Sequence, residues 1–358
     1  MRKQLSFLLL AAMLLLGGCA SEQTTVKKIS EPDSMPEQVT VTQEAAVSVL
    51  AVSPDNDTLL LETNGGLTVR YEGKDFFVSW TDLSPQAAWS PNGRYACLYG
   101  KHSLLLDTAE QKTLDLGTLL TACFNADQTT LYYVRPGETG SVFLRRKGFA
   151  DTEELLLEVE DTLHGPMYRT TRSQYLVMGA SRLLSLEQDA VGQPWKVRVI
   201  ADFTTAGMQL ADFGYSSQTG LCVVSGNTDN GRVFSVVSPD GKDSVVDKVS
   251  CFTPANTETP VTNLGADELS TMSDAEDWPV SLSSVQLSPG GLYLFLLGQG
   301  KADHQTAAWL LNLENGALSV VSLPEGNWQE ARWCVGSRIL LRSAAGQMTV
   351  ISLDGWYE

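Results

Sequence analysis

Histidine is scarce in this chain: His102, His164 and His304 are the three in 358 residues. They lie far apart, and no HExxH or close pair offers zinc a ligand set. Catalytic signatures are missing too. There is no GxSxG elbow, no P-loop and no GxGxxG, and the loop serines in Gly214-Tyr215-Ser216-Ser217 and Gly179-Ala180-Ser181 lack the downstream glycine of a nucleophile elbow. No cysteine falls in a CxxC pair, which removes the common redox and zinc-ribbon readings. Basic residues are few, with Lys and Arg at 25 against 42 Asp and Glu, so the net charge of −17 argues against nucleic acid and against docking on anionic lipid. Helix signals are nearly absent, and the one long apolar run, residues 5–16, is too short for a comfortable membrane span.

That run is still informative. Arg2-Lys3 precedes it and Leu16-Gly17-Gly18-Cys19 follows it, an export leader whose ending resembles the bacterial lipobox. The resemblance implies cleavage after residue 18, lipidation of Cys19 and anchoring by two acyl chains, enough for stable membrane attachment. Loss of Arg2 and Lys3 with the leader takes the net charge to −19. Residues 19–37 are polar and almost free of bulky apolar side chains, so they read as a flexible tether. Ala20 after the cysteine gives no aspartate-type retention signal, so outer-membrane sorting is expected in a cell that has an outer membrane. The expected localisation is extracytoplasmic, at a bacterial cell surface or in the periplasm. Cys97, Cys123, Cys222, Cys251 and Cys334 remain, mostly among apolar strand residues, and read as small buried hydrophobes; a disulfide is the alternative outside the cytoplasm, with at least one of the five left unpaired.

Residues 38–358 carry a repeated strand-turn-strand signal. Ser90-Pro91-Asn92-Gly93 has proline where a type I turn presets φ and glycine at its fourth position. Its relatives are Ser53-Pro54-Asp55, Asn125-Ala126-Asp127, Thr171-Arg172-Ser173, Ser216-Ser217-Gln218, Ser288-Pro289-Gly290-Gly291 and Val335-Gly336-Ser337. Seven units with a period near forty predict an all-β propeller of seven blades with four antiparallel strands each; six or eight blades are the alternatives. The strand runs are near-continuously apolar, as expected of sheets covered on both faces. Unit seven supplies only three strands, so the alternating residues 38–42 are expected to add its outer strand and close the ring. Ser238-Pro239-Asp240-Gly241 falls between third and fourth strands, a reminder that the tetrapeptide marks a tight turn and not a blade boundary.

Ala88-Trp89-Ser90-Pro91-Asn92-Gly93-Arg94-Tyr95 resembles the "WSPDG" repeat of TolB-type, WD40-like (PD40 repeat) propellers, and Ser288-Pro289-Gly290-Gly291-Leu292-Tyr293 is similar. The resemblance implies a fold and no catalytic residues.

Function is expected on the face that collects second-to-third and fourth-to-first strand connections, because the other face is built from tight turns. This places Lys101, His102, Asp229, Asp303 and His304 in candidate binding loops. An acidic insertion at about 252–280 adds Asp267, Glu268, Asp277 and Trp278, the last as an aromatic anchor. Its spacing fits no EF-hand loop, and no metal or cofactor is expected. Among the tryptophans, Trp89, Trp309 and Trp333 sit within strands and read as core, whereas Trp195, Trp278, Trp328 and Trp356 lie nearer strand ends or loops. The expected role is a non-enzymatic protein- or ligand-binding or assembly module with a monomeric body, its partner an envelope protein, a glycan or a small ligand. The alternatives are a polysaccharide-active hydrolase or lyase using loop-face carboxylates, and a small-ligand sensor.

Overall fold

A computed structural model describes residues 66–80, 86–150, 152–170, 173–229, 231–239, 281–300, 305–313, 318–334, 337–345 and 347–353. Strand backbone is also described at 38–39, 41–44, 49–52, 58–63 (with the Leu60 side chain) and 251–252. These strands lie within a compact unit, Met35–Glu358, and form seven sheets, six of four strands and one of five; in the two sheets latest in the chain, one strand comes from the N-terminal segment and the others are consecutive. The first strand of each sheet is Val49–Val52, Gln86–Trp89, Thr121–Phe124, His164–Arg169, Gln209–Tyr215, Ser281–Leu287 or Trp328–Trp333. From blade two to blade seven, consecutive first strands lie against one another, so they are the innermost strands of a propeller.

The second strands explain the continuous apolar runs. In Tyr95–Tyr99, Ala96 and Leu98 pack into a cluster shared with blade one, while Cys97 and Tyr99 pack into one shared with blade three. Tyr293–Gln299 does the same, with Leu294 and Leu296 turned toward blade five and Phe295 and Leu297 toward blade seven. Both faces of a blade are core, so alternation of side chains does not appear as alternation of polarity. Trp195 and Trp328, expected nearer loops, are buried within such clusters, whereas Trp333 is only half-buried. Cys97 and Cys222 are buried, and Cys123 and Cys334 half-buried, and none of the four is in a disulfide.

The serine-proline turns work through the serine. Ser90 N–H and C=O face Tyr95 and Gly93 across the turn, and the buried Ser90 Oγ accepts from Tyr95 N at 2.8 Å. Ser288 repeats this arrangement with Tyr293 and Gly291. The fourth position is left-handed, with φ of 69° at Gly93 and 80° at Gly291.

The ring closes through the N-terminal segment, with one correction. The strand that completes blade seven is Val41–Glu44, antiparallel to Met348–Leu353, three residues beyond the expected start at residue 38. Gln38–Val39 instead pairs in parallel with Val320 and Val321 on the outer strand of blade six. The segment thus lies along two neighbouring edges in turn, and each gains backbone partners. Blade five departs from the antiparallel plan: its outer strand is the two-residue Cys251–Phe252, paired in parallel with Val236 and Val237.

Candidate functional site

A cavity of about 720 Å³ runs along the propeller axis, walled by the first strands of blades two, four, five, six and seven. It is the size of a small-molecule site. Ala344, in the second-to-third connection of blade seven, lines it, and no first-to-second turn residue does. The cavity therefore opens on the face expected to carry function.

Register shifts build the wall. Opposite the second strand, Leu210 pairs with Gly226 but Asp212 with Ser225, leaving Ala211 extra. The same slip leaves Ser283 extra in blade six and Gln329 extra in blade seven. All three extra residues line the cavity. Such a bulge re-aims the residues around it, and here it brings Asp212, Ser284 and Glu330 to the axis as well. Gly226 and Gly298 make the slip possible, since a Cβ on either would collide with the carbonyl of Gln209 or Ser281.

The polar groups are tied across blades. Gln286 of blade six donates from Nε2 to Asp212 Oδ2 of blade five at 2.6 Å, and its Oε1 accepts from Trp333 N of blade seven at 3.4 Å. Burial pushes the Asp212 carboxyl above its ordinary range, only partly countered by the Gln286 amide and the charges of Arg332 and Arg232. Burial likewise lowers the Arg232 guanidinium, against the pull of Asp212 and Glu330. Arg232 donates to Ser283 O and Ser225 Oγ, and its buried Nε has no partner. Glu330 sits between Arg332 at 3.3 Å and Arg342 at 3.7 Å. Tyr99 and Tyr168 also face the cavity, and burial holds both phenols above the usual tyrosine value, Tyr168 further because of Asp212.

Lys101, His102 and Asp229 are exposed in second-to-third connections and stay outside the cavity wall. Asp267, Glu268, Asp277, Trp278, Asp303 and His304 lie outside the described residues. His164 is not a free surface histidine: its Nε2 lies 3.2 Å from Leu210 O, joining blades four and five. Among the described residues no three His, Cys, Asp or Glu side chains gather as a metal site.

No known family model and no curated protein matches the chain by sequence. Solved structures do resemble it. The β-propeller domain of Cps50 (Swd1) from Myceliophteria thermophila aligns with a TM-score of 0.56 at 12% identity, over 87% of this chain and 98% of that one. The chain has the β-propeller fold. The RRP9 WD40 repeats give 0.54 at 11% identity over 88% and 97%, and hydrazine synthase of Kuenenia stuttgartiensis gives 0.52 at 13% over 89% and 96%. At such identities the likeness speaks for the fold alone.

Proposed function

We propose that this chain is a lipid-anchored, extracytoplasmic propeller of the TolB type that works as a binding module, with its ligand or partner engaged at the open end of the axial cavity. The observation that carries this reading is the cavity itself: charged and amide side chains from blades five, six and seven, held in fixed positions by the Asp212–Gln286–Trp333 chain of hydrogen bonds. A wall of this kind orients a polar ligand before it arrives, which lowers the entropic cost of binding. Leu16-Gly17-Gly18-Cys19 and the polar tether support the anchor, and the strongly negative body supports a partner other than nucleic acid. The test is native mass spectrometry of the full chain, solubilised in detergent from its own membranes. A bound small molecule or a stoichiometric partner, lost on Gln286→Ala, is expected; a bare chain at every detergent concentration tried overturns the reading.

A second reading, glycoside hydrolysis, has one observation in its favour. Two carboxylates, Asp212 and Glu330, share the cavity, and the first has the raised pKa of a general acid. Glu330 is engaged by two guanidiniums, an arrangement that suits holding a charge more than delivering a base. Release of nitrophenol from aryl glycosides by the full chain, abolished in Asp212→Asn, would favour hydrolysis over binding.

A further inference from the structure

The charges on the cavity wall do not cancel pairwise, and the mismatch specifies a ligand. Among the described residues, Arg232, Arg332 and Arg342 line the cavity together with two carboxylates, Asp212 and Glu330. Glu330 is shared by Arg332 and Arg342 through single contacts of 3.3 and 3.7 Å, neither of them the bidentate fork a guanidinium makes with a carboxylate it fully satisfies. The Arg332 side chain keeps 41% of its surface open. Its remaining donors are therefore available inside the cavity.

Asp212 is in the complementary position. Its oxygens accept from the Gln286 amide and from Phe213 N, and among the described residues no cationic side chain lies within ion-pair distance of it. Asp212 still has access to the cavity. A carboxylate with no ion-pair partner, which the Arg332 and Arg232 charges reach only at longer range, and a guanidinium with surplus donors thus line one polar space. Tyr168, Phe213 and Trp333 line the same wall. A ligand bearing both an ammonium and a carboxylate would satisfy both ends at once, whereas a simple anion would gain Arg332 at the expense of repulsion from Asp212, and a simple cation the reverse.

We propose that the axial cavity binds a small zwitterion, a free α-amino acid or a short peptide with free ends, its ammonium against Asp212 and its carboxylate on Arg332. This rests on the binding-module reading and narrows it to one ligand class. Opposite charges at fixed positions also give selectivity: blocking either end of the ligand leaves one protein charge in the cavity without its ligand partner.

The test is a thermal-shift titration of the detergent-solubilised full chain with each of the twenty α-amino acids and with trialanine, N-acetyl-trialanine and trialanine amide. Stabilisation that grows with ligand concentration is expected for at least one free-ended probe, with both blocked tripeptides at least tenfold weaker than trialanine if trialanine is the binder. Arg332→Lys should weaken binding about tenfold or more without changing the circular dichroism, because lysine keeps the charge but loses the fork. Lys101→Ala, on the exposed loop, should bind as the parent does. No shift with any free-ended probe overturns the proposal, and so does equal binding of an N-blocked form, which would mark a plain anion site. A co-purifying molecule of other chemistry, found by mass spectrometry, would leave the binding-module reading standing while this inference fails.

Discussion

Gln128 shows how a single backbone conformation links sequence to fold. It adopts φ of 64° in the blade-three turn, the left-handed state that Gly93, Gly220 and Gly291 adopt in the turns of blades two, five and six. Asp127 supports the strain, accepting from Thr129 N, Thr130 N and Thr130 Oγ1. Gln128→Gly is expected to raise stability by up to about 1 kcal/mol, and Gly93→Ala to lower it by about 1 kcal/mol, both read from urea midpoints. Asp107 offers a test in pH. It is 3% exposed; burial alone would raise its carboxyl, but hydrogen bonds from Arg94 and from Glu110 N, with the charge of Arg94, outweigh burial and hold it below the ordinary 3.8. A depressed folded-state pKa means stability present above the unfolded value and lost as pH falls through the folded one. Asp107→Asn should cost about 1 to 3 kcal/mol at pH 7. The variant's stability should also fall less steeply than the parent's below about pH 4, in urea titrations at stepped pH.

Between strands, the bulges matter most. Each first-strand slip in blades five, six and seven places an extra residue on the axis, and a glycine on the second strand makes room for it in two of the three. Gly298→Ala should cost about 2 kcal/mol or more, because the Ser281 carbonyl must shift, and it should also weaken ligand binding through displacement of Ser283. A melting curve paired with the ligand titration checks both. The closing segment is the other decisive element. Deleting residues 20–44 removes the partners of Met348–Leu353 and Leu318–Val321 and exposes two strand edges. A fall in Tm of about 5 °C or more is expected, and an unchanged Tm would mean the segment does not close the ring.

At the scale of the whole molecule, the six clusters among the described residues each join neighbouring blades, so no blade owns its core. The axial cavity likewise exists only because several blades meet. The anchor is tested at this scale: Cys19→Ser should move the protein from the membrane pellet to the supernatant without altering its fold, as fractionation and circular dichroism will report. Retention in the pellet would argue against lipidation as the tie.

The amino-acid order alone determined the blade plan. Turn chemistry such as Ser90-Pro91-Asn92-Gly93 acts within a few residues, and apolar runs such as Leu292 to Leu297 report burial on both faces without reference to distant partners. It also gave the seventh blade's missing strand, to within three residues. The site was not legible in the same way. Polar residues within the first strands, Asp212, Gln286, Glu330 and Arg332, were visible as interruptions of apolar sequence, but a strict two-residue alternation would misassign those that lie past a bulge. Lys101, His102 and Asp229 were selected as loop residues on the face where the cavity opens, yet the wall is made by strands. Only the tertiary structure decided which polar residues face the axis, because that depends on register slips and on the convergence of blades far apart in sequence.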